Sequence, residues 1–309
     1  DPIADNYDDT VMTDDDSCEY PDNGDYSLEF DGDDYVLVET SPSLNSFSNS
    51  ISIYSKINPA GFSGAHRRLI NRGDGFGGGQ VAFILVVNPE GKLEFGIADG
   101  ASIISESALD MNEWSDIFVT MDNGLVQLYI NEEFEGQDNI GNLQYNSDAP
   151  LYIGSADANS YYLGLMDELI IWNVPITLEE LTEGMDIQEG LVTHYIFNAG
   201  EGEILYDHSG NQNHGDIVGS SWIEFCAIAL GDFNDDGNWN VLDIVGIANC
   251  VLSQNCDLLV NGCAGDLNGD GNHNVLDVVI LANCVLASNC GGRVDDASES
   301  TLIMRDNHM

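Results

Sequence analysis

Residues 231–290 contain one stretch twice. GDFNDDGNWNVLDIVGIANCVLSQNC starts at Gly231, and GDLNGDGNHNVLDVVILANCVLASNC starts 34 residues later at Gly265. The two copies place oxygen-bearing side chains on one grid. The first has Asp232, Asn234, Asp236, Gly237, Asn238, Asn240 and Asp243. The second has Asp266, Asn268, Asp270, Gly271, Asn272, Asn274 and Asp277. These are positions 1, 3, 5, 6, 7, 9 and 12 of a twelve-residue calcium loop. A Ca²⁺ ion takes six to eight hard oxygens. Side chains at 1, 3 and 5 and the carbonyl at 7 wrap it, glycine at 6 allows the sharp turn, and a carboxylate at 12 closes the shell. Position 12 is Asp here, one methylene shorter than the usual Glu, which predicts that loop and helix sit closer together.

An amphipathic helix is predicted after each loop. Val241, Leu242, Ile244, Val245, Ile247, Ala248 and Val251 recur at spacings of three and four, and Val275 to Val285 repeat the pattern. Loops and helices together resemble a type I dockerin, a calcium-dependent module that plugs into a cohesin on a partner protein. The resemblance covers about 60 residues and departs from the family in two places. Position 8, normally a small aliphatic residue, is Trp239 and His273. Positions 10 and 11, often Ser-Thr, are Val241-Leu242 and Val275-Leu276. The resemblance therefore carries calcium binding over, and leaves the identity of the partner open.

Composition bounds the rest. The chain has 54 acids against 7 bases, a net charge of −47. Nucleic acid binding needs the opposite sign and is excluded. Such acidity suits bound calcium and salty extracellular water, where ions screen the self-repulsion. A hydrophobic content of 43% is that of a folded protein. The longest apolar run, Val81 to Val87, is strand-sized, so no membrane span is predicted. The chain begins at Asp1 rather than at an initiator Met, and reads as processed or cut from a longer one.

Six of the seven cysteines belong to the repeat: Cys226, Cys250 and Cys256 around the first copy, and Cys263, Cys284 and Cys290 around the second. Three in matching places per copy point to disulfides and an oxidising compartment. Zinc would want C-x₂-C spacing, which is absent. Six cysteines allow 15 connectivities; Cys250–Cys256 with Cys284–Cys290 is the simplest symmetric choice. Cys18 is the odd one.

Residues 1–24 form an acidic head, DPIADNYDDTVMTDDDSCEYPDNG. It reads either as a solvated tail or as a further calcium site using Asp5, Asp8, Asp14 or Asp16. It resembles short acidic repeats of secreted marine bacterial proteins. Residues 25–225 hold about ten short alternating runs separated by Gly, Asn, Asp and Pro, which imply a β-sandwich or jelly roll. One short helix is predicted at Thr177 to Glu183, capped by Thr177 with Glu180 three residues on. The phrases SLEFDGDDYV (27–36), LVQLYINEEF (125–134), PLYIGS (150–155), GLMDELIIWN (164–173) and YDHSGNQNHG (206–215) resemble the LamG-like, concanavalin A-type jelly roll. The resemblance points to Asp31 and Asp167 as a possible calcium pair. The alternative is that Asp31 is a turn residue and Asp167 a buried acceptor.

No catalytic constellation is found. Glycosidases of this fold carry spaced carboxylates on one strand face; Asp167 and Glu168 are adjacent and are expected on opposite faces. The six histidines form no HExxH, and His208 and His214 read as parts of a Gly/Asn-rich turn. Tyr161, Tyr162 and Trp222 are either sugar-stacking or core residues. Arg72-Gly73-Asp74 is an RGD tripeptide, useful only on an exposed loop. Five of the seven bases between Lys56 and Lys92 allow a local basic patch.

The sequence thus predicts a mainly β protein: an acidic segment (1–24), a jelly-roll sandwich (25–225), a small α-helical paired calcium-loop module (226–290), and a linker (291–309) whose TLIMRDNHM end opens a further β element. The expected role is that of a secreted or cell-surface, non-catalytic adhesion or assembly protein. Its expected partners are a cohesin-like protein and a glycan. Two rivals remain: a subunit of an extracellular filament or surface layer, self-associating through the head and Thr301 to Met304, or the ancillary region of a larger secreted hydrolase.

Overall fold

In the computed structural model the chain divides into two units, with the boundary between Ile223 and Glu224. The structure describes residues 1–7, 18–62, 64–73, 82–97, 101–143, 149–155, 160–183, 187–224, 229–256, 259, 261–268, 272–287 and 290.

The first unit is mainly β, two antiparallel sheets forming a sandwich. The first sheet runs in the spatial order β10 (Glu133–Asn139), β9 (Leu125–Ile130), β8 (Ser115–Asp122), β3 (Ser50–Pro59), β12 (Gly164–Trp172), β1 (Tyr26–Phe30) and β16 (Ser221–Glu224); β13 (Leu191–Tyr195) pairs the other end of β12. The second sheet runs β14 (Ile204–Leu205), β15 (Gly215–Val218), β2 (Tyr35–Val38), β11 (Leu151–Ile153), β4 (Arg67–Arg72), β5 (Phe83–Val87), β6 (Lys92–Ile97) and β7 (Ser102–Ala108). The period-2 alternation of the strands builds the core: Ile51, Ile53 and Ile57 from β3 meet Phe83, Leu85 and Val87 from β5 between the sheets. In β5 the intervening Ile84 and Val86 are buried too, in a separate cluster on the other face. This strand is covered on both sides.

One helix, α1 (Leu178–Thr182), lies on the outer face of the first sheet. Thr177 Oγ1 accepts the Glu180 N–H at 3.2 Å and the Glu180 carboxylate accepts the Thr177 N–H at 2.8 Å, closing the capping box that the sequence predicts. These hydrogen bonds also hold the Glu180 carboxyl below its usual pKa. Ile176 and Leu181 cover Tyr54, Phe118, Ile170 and Trp172.

Arg72 is fully buried. Its guanidinium lies 5.5 Å from the Phe47 ring centroid and donates to Asn45 Oδ1. An integrin-type use of the RGD tripeptide needs an exposed arginine, so that reading fails; Asp74 lies outside the described residues. Arg68 is also buried, so the expected basic patch keeps at most three exposed cations. Tyr162 is a core residue donating its hydroxyl to the Leu165 carbonyl, not a sugar platform. Trp222 packs on the same core and donates Nε1–H to the Gly202 carbonyl.

The second unit holds α2 (Val241–Ser253), a 3₁₀ turn at Gly262–Gly265 and α3 (Val275–Ala287). Its core is small: Phe233, Ile247, Cys250, Cys256 and Leu281, with Trp239 and Leu267 partly buried against them. Disulfides Cys250–Cys256 and Cys284–Cys290 tie the end of each helix to the chain that follows. Cys263 is disulfide-bonded as well, and Cys226 lies outside the described residues.

Candidate functional site

Each loop of the second unit is built by its own side chains. In the first, the Asp232 carboxylate accepts the N–H groups of Asp236 (3.0 Å) and Gly237 (2.7 Å), drawing position 1 over the turn. Gly237 has φ +76°, a left-handed conformation that glycine adopts without steric cost. Asp243 reaches back from the helix: Oδ1 accepts Asn234 N–H at 3.2 Å and Oδ2 accepts Asn240 N–H at 2.8 Å. The second loop repeats this, with Asp277 Oδ1 on Asn268 N–H at 3.3 Å and Oδ2 on Asn274 N–H at 2.8 Å.

Asn240 and Asn274, predicted as ligands, have another use. Each caps its helix, with Oδ1 accepting from Leu242 N–H (2.8 Å) or Leu276 N–H (2.9 Å). Each also donates Nδ2–H to the position-7 carbonyl, of Asn238 at 3.0 Å or Asn272 at 2.9 Å. The position-9 amide therefore orients an oxygen that a calcium loop uses. Asp270 lies outside the described residues.

The unusual position 8 has a structural reason. Trp239 Nε1–H donates to the Leu230 carbonyl at 2.8 Å, and His273 Nε2–H to the Gly262 carbonyl at 2.9 Å. Two unlike rings with one N–H each pin their loops to the chain that leads in. The sequence showed the departure but not this shared geometry.

The donor set fits a divalent cation. Asp243 and Asp277 are fully buried and Asp232 nearly so, yet residues 224–290 contain no lysine or arginine. Buried carboxylates clustered with no lysine or arginine to balance them favour a cation from solvent. Asp232, Asn234, Asp236 and Asp243, with the Asn238 carbonyl, would hold it in the first loop. Asp266, Asn268 and Asp277, with the Asn272 carbonyl, are their equivalents in the second.

The sandwich does not bring Asp31 and Asp167 together. Leu28 pairs with Met166 and Phe30 with Gly164, so the two aspartates flank opposite ends of this pairing, about 13 Å apart along the strands. Asp31 instead neighbours Asp33 and Asp34, with one carboxylate oxygen of each within 4.8 Å of the others. Hydrogen bonding to Asp31 raises the Asp33 pKa, and burial raises that of Asp34. Asp167 is buried beside Glu168 and Asp25. Burial first, then the Glu168 charge, pushes its pKa up to about 7 against the opposing pull of Lys56. A bulge at Glu168, φ +39°, breaks the alternation of faces, so the opposite-face expectation for Asp167 and Glu168 does not apply.

The Gly/Asn-rich loop centres on Asp207, fully buried. Its Oδ1 accepts from Thr193 Oγ1 (3.1 Å), His194 N (2.8 Å) and Ser209 N (3.0 Å); its Oδ2 accepts from Ser209 Oγ (2.8 Å) and Asn213 N (2.9 Å). The described part of the acidic head docks beside this loop. Tyr20 lies 5.1–5.3 Å, between ring centroids, from Tyr206, His208 and His214, and His214 Nε2 meets Asp1 Oδ2 at 2.6 Å. His214 Nδ1 accepts the Asp207 N–H, so Nε2 carries the proton. Asp8, Asp14 and Asp16 lie outside the described residues.

Two family models match this architecture. That of the concanavalin A-like lectin/glucanases superfamily matches residues 30–182, and that of the dockerin type I domain matches residues 230–286. The chain joins a concanavalin A-like domain to a type I dockerin domain. Dockerin domains of this type bind calcium, in keeping with the donor set above. A candidate carbohydrate-binding protein from Bacteroides ovatus is similar at 22% identity and TM-score 0.53, over 68% of this chain and 62% of its own. At that identity the likeness is one of fold, and the chain spans less than two thirds of that protein. A heptameric SAP-like pentraxin from Limulus polyphemus is similar at 15% identity and TM-score 0.39, over 51% of this chain and 80% of its own. A CBM40 of a Ruminococcus gnavus sialidase, bound to sialyllactose, is similar at 14% identity and TM-score 0.42, over 50% and 93%. No curated protein matches the chain. No helix among the described residues is long and apolar enough to cross a membrane.

Proposed function

We propose that the chain is a secreted, non-catalytic adapter: the sandwich holds a glycan, and the dockerin domain, loaded with two Ca²⁺ ions, docks on a cohesin-type partner. The observation that carries this reading is the pair of loops in which buried Asp243 and Asp277 hold the same backbone positions with no base to balance them. Calcium fixes the start of each helix and the disulfides fix its end, which presents a rigid surface to a partner. The test is binding of the full chain to immobilised cohesin-type domains. Capture in calcium and release in chelator is expected; capture unaffected by chelator would contradict it.

For the glycan, the outer face of the second sheet has suitable chemistry. Tyr35 and Tyr152 lie there with ring centroids 5.9 Å apart, and Tyr152 pairs in register with Leu37 and Asn71. Two adjacent aromatic rings suit the apolar faces of sugars; the Asn71 amide is fully buried and held by the Gly73 carbonyl and Arg68. Alanine at Tyr35 and Tyr152 should abolish polysaccharide retention in affinity electrophoresis. Pure protein should release no reducing sugar.

A further inference from the structure

The described parts of the acidic head, residues 1–7 and 18–24, are tied to each other and to the sandwich. Asp5 N–H donates to the Glu19 carbonyl at 2.8 Å, and Glu19 N–H to Asn6 Oδ1 at 3.1 Å. Asn23 fixes the end nearer β1: its N–H donates to the Asn198 carbonyl at 2.9 Å and its Nδ2–H to the Ala199 carbonyl at 2.6 Å. Between these ties the Tyr20 ring makes the main contact with the sandwich. It stacks on Tyr206 and meets the His208 and His214 rings edge-on. Its hydroxyl and His214 Nε2–H both donate to Asp1 Oδ2, at 2.8 and 2.6 Å. Next to Tyr20, Pro21 closes a hollow whose other walls include Phe197, Tyr206, His208 and Trp222.

The contact is built for neutral imidazoles. His214 Nδ1 accepts the Asp207 N–H at 3.0 Å while Nε2–H serves Asp1, so a second proton can enter only on the nitrogen that already accepts. Burial is the main cause that lowers the pKa of both rings, that of His208 to about 4. His208 faces His194, Asp207 and His214; His214 faces Asp207 and both the carboxylate and the amino group of Asp1. Behind them His194 Nε2 lies 3.6 Å from Glu168 Oε1. Asp207 favours the charged rings, and burial outweighs it. Tyr20 supplies part of that burial, so its departure returns water to both imidazoles and moves them back toward their ordinary pKa. We propose that the head is an acid-released strap: it lies on the sandwich while His208 and His214 are neutral, and protonation of these rings frees residues 18–24 and uncovers the aromatic hollow beneath Pro21. The undocked form binds more protons than the docked one between pH 6.5 and about 4. Docking is therefore complete above pH 6.5 and weakens below it, by up to about tenfold per pH unit for each histidine.

The test is NMR on the full chain at about pH 7 and about pH 5, reading amide hydrogen exchange corrected for its intrinsic rate together with the Overhauser contacts of the Tyr20 ring. Protection of the Asn23 amide is expected to fall at least about tenfold at pH 5. The contacts of Tyr20 with His208 and His214 should fade with it, while the amides of β3 and β8 keep their protection. Tyr20→Ala should leave Asn23 unprotected at both pH values. His208→Gln with His214→Asn should make Asn23 exchange independent of pH, and His208→Gln alone should show a smaller loss than the wild type. Asn23 protection and ring contacts that persist at pH 5 in the wild type overturn the proposal, as does a loss of equal size in both histidine variants. Loss in step with the β3 and β8 amides overturns it too, because acid then opens the whole sandwich rather than the strap.

Discussion

Phe233 occupies space that only a glycine at position 246 leaves open. A Cβ on Gly246 would stand 2.6 Å from Phe233 Cδ1, nearer than van der Waals contact allows. The equivalent positions of the second repeat hold Leu267 and Ile280. The two copies thus fill these two positions differently, with a ring and a hydrogen in one and two aliphatic chains in the other. Gly246→Ile should destabilise the second unit by about 1–3 kcal/mol through overpacking. Phe233→Leu in the same chain should recover much of that loss, because it installs the second copy's pair. A double-mutant cycle by urea denaturation, followed at the helical band, measures the coupling; additive effects would show that the two sites do not share this space.

Asp207 receives five hydrogen bonds within the sandwich. Asp207→Ala leaves the backbone N–H groups of His194, Ser209 and Asn213 without their acceptor and should cost about 3–5 kcal/mol. Chemical denaturation of the first unit checks this. A loss below about 1 kcal/mol would mean that the loop is not organised by the carboxylate.

The docked head predicts a pH dependence. Burial first, then the neighbouring His194, lowers the His208 pKa from 6.5 to about 4. The groups around it are the Tyr20 ring, His194, Asp207 and His214. As pH falls below 6.5 the unfolded chain takes up a proton that the folded chain refuses. Stability is therefore complete above pH 6.5 and lost as pH falls toward 4, by up to about 3 kcal/mol. His208→Gln should flatten that slope in thermal melts between pH 7 and 4. An equally steep slope in the variant would place the dependence elsewhere, Asp167 excepted. Its raised pKa gives the opposite sign, favouring the fold as pH drops below about 7.

Much of this was legible in the sequence, for physical reasons. Calcium demands fixed spacing, so both loops and the helices behind them could be read, and the Cys250–Cys256 and Cys284–Cys290 pairs followed the repeat's symmetry. Strands with one apolar face, such as β2, β9 and β11, showed their alternation. β4 did not, because RRLINR reads as charge, whereas Arg68 and Arg72 are buried. β10 did not either: EFEGQDN has mostly exposed polar residues, as an edge strand can. The bulge at Glu168, the cap-and-brace use of Asn240, and the common purpose of Trp239 and His273 depend on contacts that no linear pattern encodes.

The central claim is that two buried carboxylates, Asp243 and Asp277, complete two calcium sites that build the docking unit. Calcium titration of the full chain by calorimetry, at about 0.15 M NaCl to screen the acidic surface, tests it most directly. Two high-affinity ions are expected, with Asp243→Asn and Asp277→Asn each removing one and lowering the helical signal. A stoichiometry other than two, or one that neither substitution changes, would contradict the account.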